Sequence, residues 1–136
     1  MSQTQRIDDG TARILIVDDE ADVAEMNGEI LALRGYQVDV SHSVAEAMAR
    51  LRERRYDLVV SDLNMPGVDG RGLFEAIAAE FPELRSRTAF LTGDTMGTNS
   101  QGFLKEAGRP FLEKPASPRE LWDFVGGLLA AAHGRA

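Results

Sequence analysis

The stretch Leu58-Val59-Val60-Ser61-Asp62-Leu63-Asn64-Met65-Pro66 joins an apolar run to a carboxylate and then to a break in the pattern. The residues before Asp62 have strand-forming character, and Met65-Pro66-Gly67 ends the run as a turn signal. A charged group at the end of a buried strand contributes little to packing. Open α/β sheets place their chemistry at the carboxyl ends of the strands, which makes Asp62 the first candidate functional residue.

A second pair of acids follows another apolar run. Asp18 and Asp19 come directly after Ile14-Leu15-Ile16-Val17, a continuous apolar segment typical of a strand that is buried on both faces. The same arrangement of apolar strand and terminal carboxylate therefore occurs twice in the chain. Whether the three acids meet depends on the order of the strands.

Strand-like and helix-like segments alternate five times along the sequence. The predicted strands are residues 13–17, 36–40, 58–61, 88–91 and 111–113. The predicted helices are residues 21–34, 43–54, 71–81 (ended by Pro82), 100–107 and a last one that begins near 117. This alternation predicts an α/β fold, a flavodoxin-like doubly wound (βα)5 parallel sheet with strand order 2-1-3-4-5. The first and third strands are neighbours in that order, so Asp18, Asp19 and Asp62 are expected to meet.

Length and composition set bounds on the kind of protein. The 136 residues fit one domain, predicted over residues 12–132, with a flexible N-terminal segment (1–11) and a short tail (133–136). No apolar stretch is long enough to span a membrane and no signal peptide is present, so we expect a cytoplasmic protein without a membrane partner. The chain has no cysteine, and its net charge of -7 argues against direct binding to nucleic acid.

The expected cluster of acids needs a counter-charge. Two unit charges about 4 Å apart repel each other by roughly 4 kcal/mol at an effective dielectric of about 20. An open site of carboxylate oxygens suits Mg2+. Thr92 ends the fourth predicted strand and Lys114 follows the fifth, so a hydroxyl and an ammonium face the same edge. This set of groups is typical of phosphoryl transfer, in which a carboxylate can be the nucleophile.

With these residues, the sequence resembles the receiver domains of two-component response regulators over about residues 12–129. The motifs that carry the resemblance are Asp18-Asp19, the run from Asp62 to Gly67, Thr92-Gly93 and Lys114-Pro115. They stand in the order of the family and at family-like spacings, with 43 residues from Asp19 to Asp62, 30 more to Thr92 and 22 more to Lys114.

The resemblance implies a role for each of these residues. Asp62 would accept a phosphoryl group from a phosphohistidine on a sensor histidine kinase or a histidine phosphotransfer protein. Asp19 and Asp62 would bind Mg2+ together with the backbone carbonyl of Asn64, and Asp18 would act through a water or as a further ligand. Lys114 would contact a phosphate oxygen, and it would pair with Asp62 in the resting state.

The resemblance also implies a conformational switch. The hydroxyl of Thr92 would turn towards the phosphoryl group, and Phe111 would then rotate inwards. Because Phe111 lacks the hydroxyl of a tyrosine, this switch would act by packing alone. An unidentified downstream protein would recognise the surface formed by the fifth strand and the helix before it.

Several readings stay open at this point. We expect a stand-alone single-domain regulator, while a receiver cut from a hybrid kinase or a longer regulator is the variant. A Mg2+-dependent phosphohydrolase with an aspartyl-phosphate intermediate is less favoured, because Asn64 stands where haloacid dehalogenase-like enzymes carry a second aspartate. A flavin or nucleotide binder would be expected to have a phosphate-binding glycine motif, which is absent. We therefore expect no enzyme activity beyond the protein's own phosphorylation and dephosphorylation.

Overall fold

The computed structural model describes residues 12–63, 70–93 and 98–134. Asn64 lies outside these ranges, so its predicted part in the metal site has no structural account. The helices and strands within them are β1 (Arg13–Val17), α1 (Ala21–Ala32), β2 (Gln37–Ser41), α2 (Val44–Glu53), β3 (Leu58–Asp62), α3 (Gly70–Glu80), α4 (Pro82–Arg85), β4 (Thr88–Thr92), α5 (Thr98–Ala107), β5 (Phe111–Glu113) and α6 (Pro118–Gly134).

The five strands form one parallel sheet in the order β2-β1-β3-β4-β5. This confirms the predicted flavodoxin-like topology. In the central pair of strands, Val17 of β1 stands opposite Ser61 of β3. The next residues along the two strands are Asp18 and Asp62, so the register brings the two acids to the same edge of the sheet.

Helices cover both faces of the sheet, because side chains along each strand point alternately to opposite sides. Ile14 and Ile16 face a cluster that includes buried residues of α1 and α6. Leu15 and Val17 face a second cluster, which includes buried residues of α2 and α3. The central strands are therefore apolar on both sides, as the continuous hydrophobic runs predict.

Local signals in the sequence set several helix ends. Ser117 and Glu120 form the reciprocal capping box that their spacing predicts, with the Ser117 amide donating to Glu120 Oε1 at 2.8 Å and the Glu120 amide donating to Ser117 Oγ at 3.1 Å. Gly35, just past α1, has a φ of 91°. That left-handed backbone favours glycine and turns the chain into β2.

Several helix boundaries differ from those expected from the sequence. Pro82 does not simply end α3; it begins α4, because a proline at the first position of a helix gives up no hydrogen bond. Helix α5 begins at Thr98, two residues earlier than expected, and α6 continues to Gly134. None of the helices in the described parts of the chain is long and apolar enough to cross a membrane.

Candidate functional site

The three predicted acids meet at the carboxyl ends of β1 and β3. Asp18, Asp19 and Asp62 can each place one carboxylate oxygen within 4.8 Å of the others. Asp18 and Asp62 are 1% and 5% exposed, while Asp19 is open to solvent. The cluster therefore has two buried carboxylates and one that faces the water from which an ion would arrive.

Main-chain hydrogen bonds fix the position of Asp18. Its amide donates to the carbonyl of Ser41 at 3.0 Å, which extends the pairing of β1 with β2 beyond the strand. Its carboxylate oxygen Oδ1 accepts a hydrogen bond from the amide of Glu20, also at 3.0 Å. The Nδ1 atom of His42 lies 3.2 Å from the Asp18 carbonyl oxygen. Asp18 is thus held at both its backbone and its side chain, with its oxygen Oδ2 facing the cluster.

The backbone after Asp62 is held just as closely. The amide of Leu63 donates to the carbonyl of Leu91 at 3.0 Å, and the amide of Gly70 donates to the Leu63 carbonyl at 3.1 Å. A Cβ atom at Gly70 would lie only 2.7 Å from the carbonyl oxygen of Asp62 and 2.8 Å from Cα of Leu63. The start of α3 therefore packs backbone to backbone against the end of β3, and only glycine leaves room for that contact.

Lys114 brings a positive charge to the acids from the end of β5. Its Nζ atom donates to Asp18 Oδ2 at 3.2 Å and lies 3.6 Å from Asp62 Oδ2 and 3.7 Å from Glu20 Oε1. Burial by itself would lower the pKa of Lys114, but attraction to Asp62, then to Asp18 and Glu20, outweighs it and raises the pKa above its ordinary value. The side-chain amine of Lys114 is therefore protonated, as an ammonium, within this cluster.

The predicted pairing of Lys114 with Asp62 is present, although the shorter contact is to Asp18. The ammonium of Lys114 lies near Asp18, Asp62 and Glu20, and Asp19 adds a fourth carboxylate to the site. The site thus has a net negative charge, and its carboxylate oxygens are hard ligands that suit a small divalent cation. The residues present fit Mg2+ by the chemistry of their donor atoms.

Thr92 and Phe111 lie on the adjacent strands β4 and β5. Thr92 is fully buried, whereas the ring of Phe111 is 45% exposed. In the strand register, Phe111 pairs with Phe90 and Thr92 pairs with Glu113. Paired residues of parallel strands share a face of the sheet, so Phe111 and Thr92 are on the same side. The ring of Phe111 is in an outward position from which it could turn towards Thr92.

Phe90 continues this side of the sheet into the helices. Its ring makes edge-to-face contacts with Phe74 of α3 and Phe103 of α5, with centroids 5.9 and 5.4 Å away, and those two rings contact each other at 5.8 Å. Leu104 is the one residue of α5 that is buried among residues 102–107, whose side chains the structure describes. Among the side chains of α5 that the structure describes, Phe103 and Leu104 join the helix to this cluster.

Sequence reasoning missed two residues of the site. Glu20 has no part in the prediction from the sequence, but its oxygen Oε1 lies 3.7 Å from Nζ of Lys114. Gly70 stands just before the predicted helix 71–81 and was given no role at the site, but its missing side chain allows α3 to contact the backbone of Asp62. The close approach of two backbones has no signature in a single sequence.

The sequence profile of the response regulator receiver domain matches residues 14–125. The chain belongs to this family. The match begins at the second residue of β1, covers the other four strands and ends within α6. It includes every residue of the site described above.

Known proteins place the receiver domain in several contexts. This chain is 36% identical over 122 residues to the transcriptional regulatory protein ResD of Bacillus subtilis, and the match covers 88% of this chain and 49% of ResD. A CheY-like receiver domain protein of Methanospirillum hungatei has the same fold, with a TM-score of 0.83 and 25% identity over 93% of this chain and 99% of that one. The receiver domain of a histidine kinase from Syntrophus aciditrophicus has a TM-score of 0.79 and 32% sequence identity to this chain, covering 89% of this chain and 92% of that one.

The lengths of these proteins differ. The receiver domain described here spans about half the length of ResD and about a quarter of the response regulator FleR of Pseudomonas aeruginosa, to which it is 29% identical. It spans nearly the whole of the two solved receiver structures. Receiver domains of this kind therefore occur both within longer regulators and as separately solved chains.

Proposed function

We propose that this receiver domain accepts a phosphoryl group on Asp62. The observation that carries the proposal is the convergence of Asp18, Asp19 and Asp62 with the ammonium of Lys114, which lies 3.2 and 3.6 Å from two of the three acids. Asp62 stands between β1 and β4 in the sheet, with the other acids on one side and Thr92 on the other. A group bound to Asp62 would therefore be surrounded by the remaining functional side chains.

The proposed step is a transfer from a phosphohistidine of a partner protein. A carboxylate oxygen of Asp62 attacks the phosphorus atom, the bond between phosphorus and the imidazole nitrogen breaks, and the nitrogen leaves with its electron pair. The product is an acyl phosphate on Asp62 and a free histidine on the partner. Lys114 keeps its proton through the step and offers N–H donors to a phosphoryl oxygen.

Asp18, Asp19 and Asp62 are the described residues that would hold Mg2+. When bound, the ion would neutralise charge on the carboxylates and on the transferred phosphoryl group. This is needed because Lys114 alone cannot balance the acids, and a phosphoryl group adds further negative charge. Asp19, which is exposed, would be the acid that an incoming ion meets first.

We further propose that phosphorylation is passed on through Thr92 and Phe111. The Thr92 hydroxyl would donate to a phosphoryl oxygen, and the space that it leaves would admit the ring of Phe111. The outward position of that ring and its place on the same face as Thr92 support this movement. It would change the exposed surface of β5 and α5, which a downstream protein would then recognise.

The partners on this proposal are proteins with a phosphorylated histidine, either a sensor histidine kinase or a histidine phosphotransfer protein. Response regulators interact with histidine kinases and with downstream targets, and this chain belongs to that family. The acidic character of the domain, with a net charge of -7, speaks against direct contact with nucleic acid.

Intact-mass spectrometry tests the proposal. The protein is incubated with Mg2+ and acetyl phosphate, and one added phosphoryl group is expected per chain. Asp62→Asn removes the nucleophile and should abolish the adduct, while Asp57→Asn, which changes an acid outside the cluster, should keep it. If the unmodified protein gains no phosphoryl group under conditions that label another receiver domain, the proposed function is wrong.

A further inference from the structure

A cavity lies at the amino-terminal ends of β3, β4 and β5, on the sheet edge opposite to Asp62. Its volume is about 330 Å3, which is at the small end of the range for ligand pockets. The residues around it come from the beginnings of these strands and from the last turns of α6; they include Leu58, Arg87, Arg109, Pro110, Leu128 and Ala131. None of these residues takes part in the site around Asp62.

Arg109 brings a half-buried positive charge to this cavity. Its Nε donates to the carbonyl of Thr88 at 2.8 Å and its Nη2 donates to the carbonyl of Ser86 at 2.7 Å. These bonds orient the guanidinium without cancelling its charge. Across residues 12–63, 70–93 and 98–134, no carboxylate is found within 4.0 Å of it.

The surroundings disfavour this positive charge. Burial, and next the positive charge of Arg85, lower the pKa of Arg109 below its ordinary value. An arginine nevertheless keeps its proton in a protein, so the charge remains and a counter-ion would stabilise it. The site therefore favours an anion even though the chain as a whole is acidic.

Arg87 provides a second guanidinium at the same cavity. Its Nη1 atom is 3.9 Å from Asp57 Oδ1, which is longer than a hydrogen bond. The other oxygen of Asp57 already accepts a hydrogen bond from the amide of Arg13 at 2.8 Å. Among the described residues, neither guanidinium is hydrogen-bonded to a carboxylate, and both have N–H donors that an anion could use.

We propose that this cavity binds a small organic anion, with a carboxylate or phosphate group between Arg87 and Arg109 and a short apolar body against Leu58, Pro110 and Leu128. Guanidinium groups suit both kinds of oxyanion, because they donate two parallel hydrogen bonds. Leu58 is 2% exposed and supplies an apolar wall. The ligand would bridge three strands and α6 without touching the acid cluster.

A purely structural role would explain only part of this arrangement. The two bonds from Arg109 to main-chain carbonyls tie the start of β5 to the start of β4, and this alone could account for that residue. It would not account for Arg87, whose guanidinium has no hydrogen bond among the described residues, or for the apolar walls. Arg87 is therefore the residue at which ligand binding and folding can be separated.

The binding test uses amide NMR spectra of the whole chain, titrated with hexanoate and with hexyl phosphate. Saturable shifts are expected at Leu58, Arg109 and Ala131 with at least one of the two anions, and comparing them shows which head group is preferred. Hexanol and inorganic phosphate each carry half of the proposed chemistry and should bind more weakly. The absence of saturable shifts, or equal binding of hexanol, would overturn the proposal.

Matched variants then assign the binding to the cavity. Arg87→Gln should lower the affinity for the anion by about tenfold or more, the equivalent of one lost charge-assisted hydrogen bond. Arg119→Gln removes the same charge from the opposite end of α6 and should leave the affinity unchanged. Ala131→Phe, which fills the mouth of the cavity without changing charge, should also weaken binding. Equal losses in Arg87→Gln and Arg119→Gln would mean nonspecific attraction and would contradict the assigned site.

Discussion

Lys114 donates its hydrogen bond to Asp18, at 3.2 Å, and stands slightly farther, at 3.6 Å, from Asp62. The lysine at the end of β5 thus bridges the two buried acids of β1 and β3. One consequence is that the negative charge of Asp62 is balanced by the ammonium of Lys114, which Asp18 holds in place. Removing the ammonium would leave both buried carboxylates without their cation.

The pH dependence of stability should reveal this bridge. The pKa of Lys114 is raised in the folded protein above the ordinary value of 10.5. Its contribution is therefore fully present below about pH 10.5 and is lost as the pH rises through the folded pKa. The difference in free energy of unfolding between the unmodified protein and Lys114→Met, measured in urea without Mg2+, should be constant between about pH 8 and 10 and shrink above.

The chain offers a control for this measurement, because its other lysine, Lys105, is exposed on α5. Lys105→Met should show no comparable change of the difference with pH. A difference that stays flat up to about pH 12 for Lys114→Met would contradict the proposed bridge.

Asp19 should oppose folding in the absence of Mg2+ and favour the binding of Mg2+. It adds a negative charge within 4.8 Å of two others. Asp19→Asn should therefore raise the free energy of unfolding without Mg2+ by about 1 kcal/mol, the repulsion of two charges about 4 Å apart in a water-like dielectric. The same change should lower the affinity for Mg2+ by about tenfold or more. Thermal melts with and without Mg2+ measure both effects.

Glu25→Gln is the matched control for Asp19, since it removes an acid from the exposed side of α1. It should affect neither the stability without Mg2+ nor the stabilisation by Mg2+. A loss of stability on Asp19→Asn would show that the acids do not repel one another as described.

Gly70 should tolerate no side chain. An added Cβ would meet the backbone of Asp62 and Leu63 at 2.7 and 2.8 Å, and backbone atoms cannot move aside as a flexible side chain can. Gly70→Ala should therefore lower the free energy of unfolding by about 2 kcal/mol, in the range for overpacked sites. Because the strain falls on the acceptor strand, labelling of Asp62 by acetyl phosphate should also slow.

Gly102→Ala is the matched control, because the same substitution is expected to stabilise the protein at this position. Gly102 lies within α5, and a Cβ there would meet nothing within 4 Å. Alanine should stabilise the helix by about 0.5–1 kcal/mol. If chemical denaturation showed the two variants to be equally stable, the close approach at Gly70 would not have the assigned cost.

Glu20 should slow the phosphorylation of Asp62 by small anionic donors. Its carboxylate competes for Lys114 at 3.7 Å and adds negative charge at the mouth of the site. Glu20→Gln should therefore speed labelling by acetyl phosphate, by less than about fivefold because the Glu20 side chain is exposed. The gain should shrink at high salt, where exposed charges are screened. A slower rate, or an equal gain in Glu25→Gln, would count against this role.

Thr92 should be needed to move Phe111 but not to phosphorylate Asp62. Thr92→Val keeps the shape of the side chain and removes the hydroxyl that would bind the phosphoryl group. Mass spectrometry should still detect the adduct, formed within about tenfold of the usual rate, the equivalent of one hydrogen bond. The ring resonances of Phe111 should shift on phosphorylation of the unmodified protein and stay in place in the variant. A shift of equal size in Thr92→Val would exclude the hydroxyl as the trigger.

The sheet and the meeting of the acids could be predicted from the sequence because both depend on local patterns joined by general rules. Continuous apolar runs identify β1 and β3, and the alternation of strands and helices sets their order. Once β1 lies beside β3, Asp18 and Asp62 must be neighbours. The positions of Thr92 and Lys114 follow from the same rule about strand ends.

Other features depend on distances that a single sequence does not encode. The preference of Lys114 for Asp18 reflects a difference of less than half an ångström between two contacts. Helix α4 was missed because Pro82 can end one helix or begin the next, and here it does the second. The cavity lined by Arg87 and Arg109 joins residues from the starts of separate strands. A single sequence does not show in which direction their side chains point.

The contact between Lys114 and Asp18 joins residues 96 positions apart in the chain. Everything between them, from the first strand to the fifth, must be in place before the ammonium can reach the acids. A chain that has lost its last strand to a protease, or that has not finished being made, would carry Asp62 without the cation beside it. Under the proposed function, only an intact and completely folded domain could therefore receive the signal.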